Sequence, residues 1–217
     1  MITIKDFVFN SFATNTYVVS NDNTNECIII DPGCSNEQEQ QKLDNYISDN
    51  NLKPVAILNT HFHVDHVAGI YHVKNKYGIK VYGHKDEQYL VEAAINSGKL
   101  YGIEIKEQPN IDEYLDDNDN FDLGGVKINV LHVPGHSKGS LAYYIDESKL
   151  IFSGDVLFNG SIGRTDLDGG HLETLLDSIK NKLFQLPPDT SVLSGHGPVT
   201  TIISEINSNP FLLDNVM

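Results

Sequence analysis

The sequence has few cysteines, few basic residues and no long apolar run. Its two cysteines, Cys27 and Cys34, are too few for a disulfide framework, and their spacing matches no zinc knuckle. We therefore expect reduced thiols and a cytoplasmic protein. Nowhere do about 18 apolar residues follow one another, as a membrane-spanning helix requires, and the first residues lack the basic start and apolar run of a secretion signal. We therefore expect neither a membrane-spanning helix nor a secretion signal.

Acidic residues outnumber basic ones. The 15 lysines and arginines stand against 30 aspartates and glutamates, which gives a formal net charge of −15. A surface with that average charge repels a phosphate backbone and anionic lipid headgroups, so we expect neither nucleic acid nor a membrane as partner. The 217 residues, 40% of them hydrophobic, predict a single domain over residues 1–217 with a sizeable core.

Apolar residues alternate between strand-like and helix-like spacing along the chain. Strands are predicted over residues 2–9, 15–20, 27–30, 55–58, 79–82, 126–133, 141–145, 150–152 and 191–193. Helices are predicted over residues 35–50, 67–77, 85–97, 172–183 and 201–206, with an irregular acidic stretch over 98–119. Two halves that each begin with a strand meander and end with a strand feeding a polar loop predict an α/β fold, in which outer helices cover two sheets.

A dense group of metal-binding side chains follows the predicted strand over residues 55–58. The sequence from His61 to His66 reads His-Phe-His-Val-Asp-His, which places three imidazoles and a carboxylate within six residues. We predict that this motif lies on a loop leading into the next helix. Because four side chains so close in sequence would crowd one ion, the first two histidines would serve one ion, and the last two residues a second.

Three more polar residues each follow a glycine near the end of a predicted strand: His136, Asp155 and His196. Adding them gives seven candidate ligands, and seven ligands with one shared carboxylate suit two divalent ions that keep open positions. The remaining histidines have no such context and are expected to be ordinary surface or core residues: His72, His84, His132 and His171.

In combination these segments resemble the metallo-β-lactamase superfamily, whose His-x-His-x-Asp-His hallmark stands unsubstituted at residues 61–66. The likeness covers nearly the whole chain and includes Asp31-Pro32-Gly33, Pro-Gly-His-Ser at His136, Ser-Gly-Asp at Asp155 and Ser-Gly-His-Gly-Pro at His196. It implies a four-layer αββα sandwich with the site at one edge between the sheets. Asp31 would orient a ligand or its loop, or serve as a simple turn residue.

The resemblance also implies a ligand set for each ion. The first metal ion would be held by three imidazoles, those of His61, His63 and His136. The second would be held by Asp65, His66 and His196, with Asp155 bridging both ions. Zinc is the expected metal, although imidazole and carboxylate ligands accept iron and manganese too.

A complete ligand set is more similar to glyoxalase II than to true β-lactamases, and residues 161–167 further resemble the short bacterial glyoxalase II-like proteins. This implies hydrolysis of a small-molecule hydroxyacyl thioester, such as S-lactoylglutathione, by a hydroxide shared between two metal ions. Asp65 would also orient this nucleophile and so act in catalysis. Arg164 would grip a substrate carboxylate, or else form a loop-stabilising ion pair with Asp166 or Asp168.

Departures from full-length glyoxalase II leave the thiol open. We expect no C-terminal glutathione-binding helical domain, because the chain ends about twenty residues after His196, and Pro198 and Asp166 stand where that enzyme has aromatic residues. Two alternatives remain: an iron-dependent persulfide dioxygenase with a single metal, and a metal-binding redox-partner protein without hydrolase activity. The sequence does not predict the oligomeric state.

Overall fold

In the computed structural model, which describes residues 1–213, the N-terminal half of the chain forms a six-stranded sheet. Its strands lie side by side in chain order: β1 (Ile2–Phe9), β2 (Thr14–Asn21), β3 (Glu26–Ile30), β4 (Lys53–Leu58), β5 (Lys80–Gly83) and β6 (Glu113–Tyr114). The first three pair antiparallel, whereas β3 to β6 pair in parallel. Each parallel connection passes through a helical segment, as parallel pairing requires.

The second half forms another six-stranded sheet in the order β14-β13-β10-β9-β8-β7. These strands are β7 (Asn120–Leu123), β8 (Val126–His132), β9 (Leu141–Ile145), β10 (Leu150–Gly154), β13 (Ser191–Ser194) and β14 (Thr200–Thr201). Strands β10 and β13 pair in parallel, and the other neighbours pair antiparallel. A small hairpin, β11 (Leu157–Phe158) and β12 (Ser161–Ile162), leaves the sheet directly after β10.

The helices form the outer layers. They are α1 (Glu37–Asp49), α2 (Val64–Val67), α3 (Ile70–Tyr77), α4 (Gln88–Tyr101), α5 (Leu172–Asn181) and α6 (Ile202–Ser208). Buried residues of α1, α3 and α4 pack on the first sheet, and those of α5 and α6 pack on the second. Within residues 1–213, no helix combines the length and apolar character needed to cross a membrane.

Strand alternation explains the four layers. In β3, Cys27 and Ile29 face the helices, while Ile28 and Ile30 face the opposite sheet. Strand β9 does the same in the second half, where Tyr143 points into the space between the sheets. Successive side chains of a strand point to opposite faces, so an apolar run without alternation is buried on both sides. The predicted αββα sandwich is confirmed.

Several local elements differ from prediction: β7, β11 and β12 were not predicted, and two helical segments also differ. The histidine motif was expected on a loop, but α2 begins at Val64, so Asp65 and His66 lie on a helical turn. The helix expected to end at residue 97 continues to Tyr101 and ends at Gly102, which adopts a left-handed φ of 72°. Gly98, which was expected in the irregular stretch, lies buried inside α4, where a side chain would meet the backbone oxygen of Ile103.

Candidate metal centre

The candidate site lies where several strands end. His61 follows β4, His136 follows β8, Asp155 follows β10 directly, and His196 follows β13. Because β10 and β13 are parallel neighbours, their carboxyl ends meet at one edge of the second sheet. Glycines precede three of these residues, and Gly195 passes so close to Asp155 that a side chain there would overlap its carboxylate. The glycine signal in the sequence therefore reflects close backbone packing around the site.

Three imidazoles form a first cluster. The nitrogens of His61, His63 and His136 that face one another all lie within 4.8 Å. Nδ1 of His63 is 2.9 Å from Nε2 of His136, and the ring of His61 is 4.8 Å, centroid to centroid, from each of the other two. His61 and His136 are buried, whereas His63 is partly exposed toward a cavity.

A second cluster joins two imidazoles and a carboxylate. The Nε2 atoms of His66 and His196 are 3.3 Å apart, and each lies 3.3 Å from Oδ2 of Asp65. Asp155 stands between the two clusters: its Oδ1 is 3.4 Å from Nε2 of His66, and its Oδ2 is 3.7 Å from Nε2 of His136. The structure thus brings together all seven residues that the sequence singled out.

Four of the five imidazoles use Nδ1 to donate a hydrogen bond to a fixed oxygen, which leaves the lone pair on Nε2. The Thr60 hydroxyl donates to Asp31, so its oxygen is free to accept from His61. The four acceptors are Thr60 Oγ1 for His61 at 3.0 Å, Asp31 Oδ2 for His66 at 3.0 Å, the Arg164 carbonyl for His136 at 2.8 Å and the Phe12 carbonyl for His196 at 3.0 Å.

This arrangement fits divalent cations. In each cluster the ring nitrogens of two histidines approach each other, at 2.9 Å for His63 and His136 and at 3.3 Å for His66 and His196. The buried atoms His61 Nε2 and Asp155 Oδ1 find no hydrogen-bond partner within residues 1–213. A buried acceptor left unpaired costs about 1 to 3 kcal/mol. Imidazole nitrogens and carboxylate oxygens are donors that zinc, iron and manganese accept, so the residues present suit two such ions.

Burial controls the protonation of the first cluster. It lowers the pKa of His61 well below the ordinary value and that of His63 to about 3, and the neighbouring imidazoles add to the effect. The pKa of His136 is also lowered, mainly by burial. A buried imidazole loses the hydration that stabilises its charged form. The three rings are therefore neutral at pH 7 and able to donate lone pairs.

The second cluster has the opposite electrostatics. Burial alone would lower the pKa of His66, but Asp65, Asp155 and Asp31 together raise it well above the ordinary value. Burial likewise opposes a raised pKa at His196, where hydrogen bonds to Asp155 and Asp65 bring it to about 9. Carboxylates concentrated around two imidazoles attract positive charge, whether a proton or a metal ion supplies it.

Comparison with protein-family models matches residues 10–196 to the metallo-beta-lactamase superfamily. The chain belongs to this superfamily. Among curated relatives, it is 45% identical over 200 residues to the probable metallo-hydrolase YqgX of Bacillus subtilis, covering 91% of this chain and 92% of that one. It is 37% identical over 209 residues to hydroxyacylglutathione hydrolase GloC of Haemophilus influenzae, covering 93% and 94% of the two chains.

Solved structures confirm the superfamily fold. BLEG-1, described as a B3 metallo-beta-lactamase, aligns with a TM-score of 0.88 and 40% identity over 97% of this chain and 99% of its own. TTHA1623 in a di-iron-bound form aligns with a TM-score of 0.86 and 37% identity over 96% of this chain and 100% of its own. The superfamily and its fold are therefore established for this chain, and a chain 37% identical to it binds two iron ions.

A cavity of about 450 Å³ opens onto both clusters. Its walls are mostly apolar and come from α4, the β11–β12 hairpin and the loop between β1 and β2: Leu90, Ala94, Tyr101, Phe158, Ile162 and Phe12. Among the described residues that line it, Arg164 is the one lysine or arginine. Its guanidinium donates to both carboxylate oxygens of Asp166, at 2.7 and 2.6 Å, and is 59% exposed. The ion pair considered from the sequence is thus present, and Arg164 also faces the cavity.

Several supporting residues escaped the sequence analysis. Asn59 is fully buried and donates to the carbonyls of His61 and His66, which fastens both ends of the motif. Thr14 donates its hydroxyl proton to Oδ2 of Asp65 at 2.7 Å from 51 positions away. Asn59 could have been suspected, because a polar residue directly follows an apolar strand. Thr14 gives no comparable local signal.

A further cluster of possible donors, His84, His132 and Asp116, lies outside this site. The two rings stack nearly parallel, 8° apart with centroids 4.2 Å from each other. Nδ1 of His84 accepts from the Asp86 amide and Nε2 of His132 faces the Lys138 carbonyl. An ion between parallel rings would lie outside both ring planes, where the lone pairs do not point. We therefore regard this cluster as a packing contact, in line with the expectation for these histidines.

Proposed function

We propose that this chain is a metal-dependent hydrolase of the glyoxalase II type, which cleaves a hydroxyacyl thioester. One observation carries the proposal: two clusters, each with three possible metal ligands, lie on either side of Asp155 and face a cavity. The 37% identity to a hydroxyacylglutathione hydrolase over nearly the full length of both chains supports the thioester substrate.

His61, His63 and His136 would hold one ion and Asp65, His66 and His196 the other, with Asp155 shared between them. When bound, the two ions supply Lewis acidity that activates a water molecule near neutral pH and stabilises the oxyanion. Zinc is our proposed metal. Iron is an alternative that the di-iron form of a 37% identical structure supports.

Asp65 would also direct the attacking water. Burial opposes ionisation of this carboxyl, yet His66 and His196 lower its pKa to about 2. Asp65 is therefore a carboxylate at neutral pH and accepts, rather than donates, a hydrogen bond. The hydrogen bond from Thr14 fixes its orientation. A fixed acceptor beside the cavity positions the water molecule toward a bound carbonyl, which lowers the entropic cost of attack.

The cavity walls would bind the acyl and thiol groups. Leu90 and Ala94 of α4 face the hairpin residues Phe158 and Ile162, and apolar walls exclude water from the reacting carbonyl. Arg164 at the rim would exchange its partner Asp166 for a substrate carboxylate, since a guanidinium forms the same paired hydrogen bonds with either.

Hydrolysis of β-lactams is a second candidate, because BLEG-1 is described as a B3 metallo-beta-lactamase and is 40% identical over 97% of this chain. The same activated water would attack a strained amide carbonyl. Thioester and β-lactam differ in the leaving group and in the shape of the substrate. The two candidates are therefore separated by comparing kcat/KM on both substrate types with one preparation.

The decisive experiment measures metal content before activity. Protein purified without added metal is analysed by mass spectrometry of the elements, then assayed on S-lactoylglutathione, a second hydroxyacyl thioester and a chromogenic cephalosporin. We expect about two ions per chain and turnover of a thioester. The variant H63A should bind fewer than two ions and lose turnover, whereas H72A, which removes a histidine outside the clusters, should keep two ions and turnover. A single iron with oxygen consumption on a persulfide, or no thioester turnover by fully loaded protein, would overturn the proposal.

A further inference from the structure

Glu87 is a fully buried acid that the mechanism above does not use. It lies in the short turn before α4 and has no solvent-exposed surface. A buried carboxylate is costly unless several hydrogen bonds compensate it, so its partners reveal why it is there. Burial raises its pKa, and hydrogen bonds from three donors act in the opposite direction.

Those donors belong to two separate loops. Oε2 accepts the backbone N–H of Phe62 at 2.8 Å, and Oε1 accepts that of Gly139 at 2.7 Å. Ser137, on the same loop as Gly139, also acts to lower the pKa of the carboxylate. Phe62 stands between His61 and His63, and Ser137 directly follows His136. One carboxylate thus ties together the two loops that carry the three imidazoles of the first cluster.

The second cluster has a different support. Thr14 and Asn10, from the β1–β2 region, donate to Asp65, and Nδ1 of His196 donates to the Phe12 carbonyl. The backbone N–H of Asn15 donates to the carbonyl of Gly195 at 2.7 Å. None of the hydrogen bonds described for Glu87 involves these residues. Asn59 and Asp31 support residues of both clusters, whereas the hydrogen bonds of Glu87 reach only the loops of the first cluster.

We propose that Glu87 is a positioning residue for the first cluster alone, holding His61, His63 and His136 in register so that they bind the first metal ion. The proposal rests on the metal assignment in the proposed function but not on any substrate. Hydrogen-bond partners that orient metal ligands affect metal affinity by about 10- to 100-fold when they are removed. The effect of losing Glu87 should fall on one ion and spare the other.

The variant E87Q tests this with little change in shape. Glutamine offers only one acceptor oxygen. Its NH₂ group is a donor and cannot accept a hydrogen bond from the second backbone N–H, so one of the two loops loses its hydrogen bond. The variant is made in two backgrounds: H196A, which keeps the first cluster, and H136A, which keeps the second. Binding of Zn²⁺ and Co²⁺ to metal-stripped protein is measured by competition with a chelating dye.

We expect E87Q to weaken the remaining ion about 10- to 100-fold in the H196A background. In the H136A background the loss should stay below about twofold, because the hydrogen bonds of Glu87 reach no residue that supports the second cluster. T14V is the matched control, because it removes the hydrogen bond from Thr14 to Asp65 in the second cluster. It should weaken the remaining ion in the H136A background and spare the one in the H196A background. Co²⁺ absorption reports a change in ligand geometry that a general loss of stability would not produce.

Equal weakening in both backgrounds would overturn the proposal, as would unchanged affinity in both together with a lower melting temperature. If E87Q does not fold, E87D takes its place: it keeps the charge but cannot span both N–H groups, and the same selective pattern is required. Because the measurement needs no substrate, parent protein that binds two ions without thioester turnover refutes the proposed activity alone. Parent protein with no ion at the first cluster refutes the assignment of Glu87.

Discussion

Replacing Gly195 with alanine should separate metal binding from fold stability. A methyl group at this position would overlap Oδ1 of Asp155 and lie 2.7 Å from Cε1 of His66. To restore an ordinary contact distance, the carboxylate oxygen must move by about 1 Å. Metal–ligand distances vary by only about 0.2 Å around their preferred values. The displaced oxygen therefore leaves its place between the clusters. Because Oδ1 lies 3.4 Å from Nε2 of His66 in the second cluster, the affinity for the second ion should fall most.

We expect G195A to lose about 10- to 100-fold in metal affinity, or about 1.4 to 2.8 kcal/mol, because the shift affects both a carboxylate and an imidazole. The matched control is G197A, two positions along the same loop. Gly197 has a left-handed φ of 74° with nothing within 4 Å of the added methyl, so alanine there costs about 1 kcal/mol of backbone strain and leaves the site intact.

The assay combines metal content after dialysis against graded chelator with thermal unfolding in excess chelator. G197A should unfold at a lower temperature yet keep two ions, whereas G195A should lose metal at chelator concentrations that leave the parent loaded. Parent-like metal affinity in G195A would refute the reasoning, since it would mean that the Asp155 carboxylate needs no fixed position.

Three further predictions concern the cavity rim and the surface. R164A should raise KM for an anionic thioester about tenfold with little change in kcat. D166A, which frees the Arg164 guanidinium, should lower KM. Unchanged KM in both variants would mean that the Arg164–Asp166 ion pair only stabilises its loop. Y101A removes a cavity wall that contacts Phe12 edge-on, so KM should rise for bulky acyl groups more than for acetyl, while the melting temperature stays near that of the parent because Tyr101 is half exposed. D44N should lower the free energy of unfolding by about 1 to 2 kcal/mol at pH 7, because it removes charged hydrogen bonds from the last turn of α3. Burial opposes ionisation of Asp44, but hydrogen bonds from Lys76 and Tyr77 lower its pKa, so this stabilisation exists above the unfolded-state pKa and is lost as the pH falls through the folded-state value. In urea melts, the difference in free energy of unfolding between D44N and the parent should therefore be smaller at pH 3 than at pH 7.

Strands with their own apolar pattern were predictable from the sequence. The bounds of β1 and β9 agree with prediction residue for residue, because alternation or a continuous apolar run marks each from end to end. The two-residue strands β6 and β14 were not predicted. Each exists only because a neighbouring strand offers a hydrogen-bonding edge, and two residues are too few to form a period. Helix α2 was missed for a similar reason, since four residues make one turn and no repeat.

The candidate site was predictable to the extent that its residues carry a local signal. The motif at residues 61–66 is dense, and His136, Asp155 and His196 each follow a glycine at a strand end. Supporting residues give no such signal, because their role depends on contacts between distant segments. Glu87 lies 25 positions from the N–H of Phe62 and 52 from that of Gly139. In the sequence it is one acid among thirty, and only its burial distinguishes it.

The charges around the cavity couple substrate affinity to metal content. The chain has a formal net charge of −15, Asp65 and Asp155 add negative charge at the cavity floor, and Arg164 is already paired with Asp166. In a metal-free chain, protons on His66 and His196 offset these two carboxylates, so an anionic thioester would meet no net attraction there. Two divalent cations outweigh the two carboxylates and make the loaded floor locally positive. A substrate carboxylate therefore binds to the loaded form, and chelation should abolish binding of a competitive anionic inhibitor as well as turnover. Equal inhibitor affinity with and without metal would place the anion on Arg164 alone.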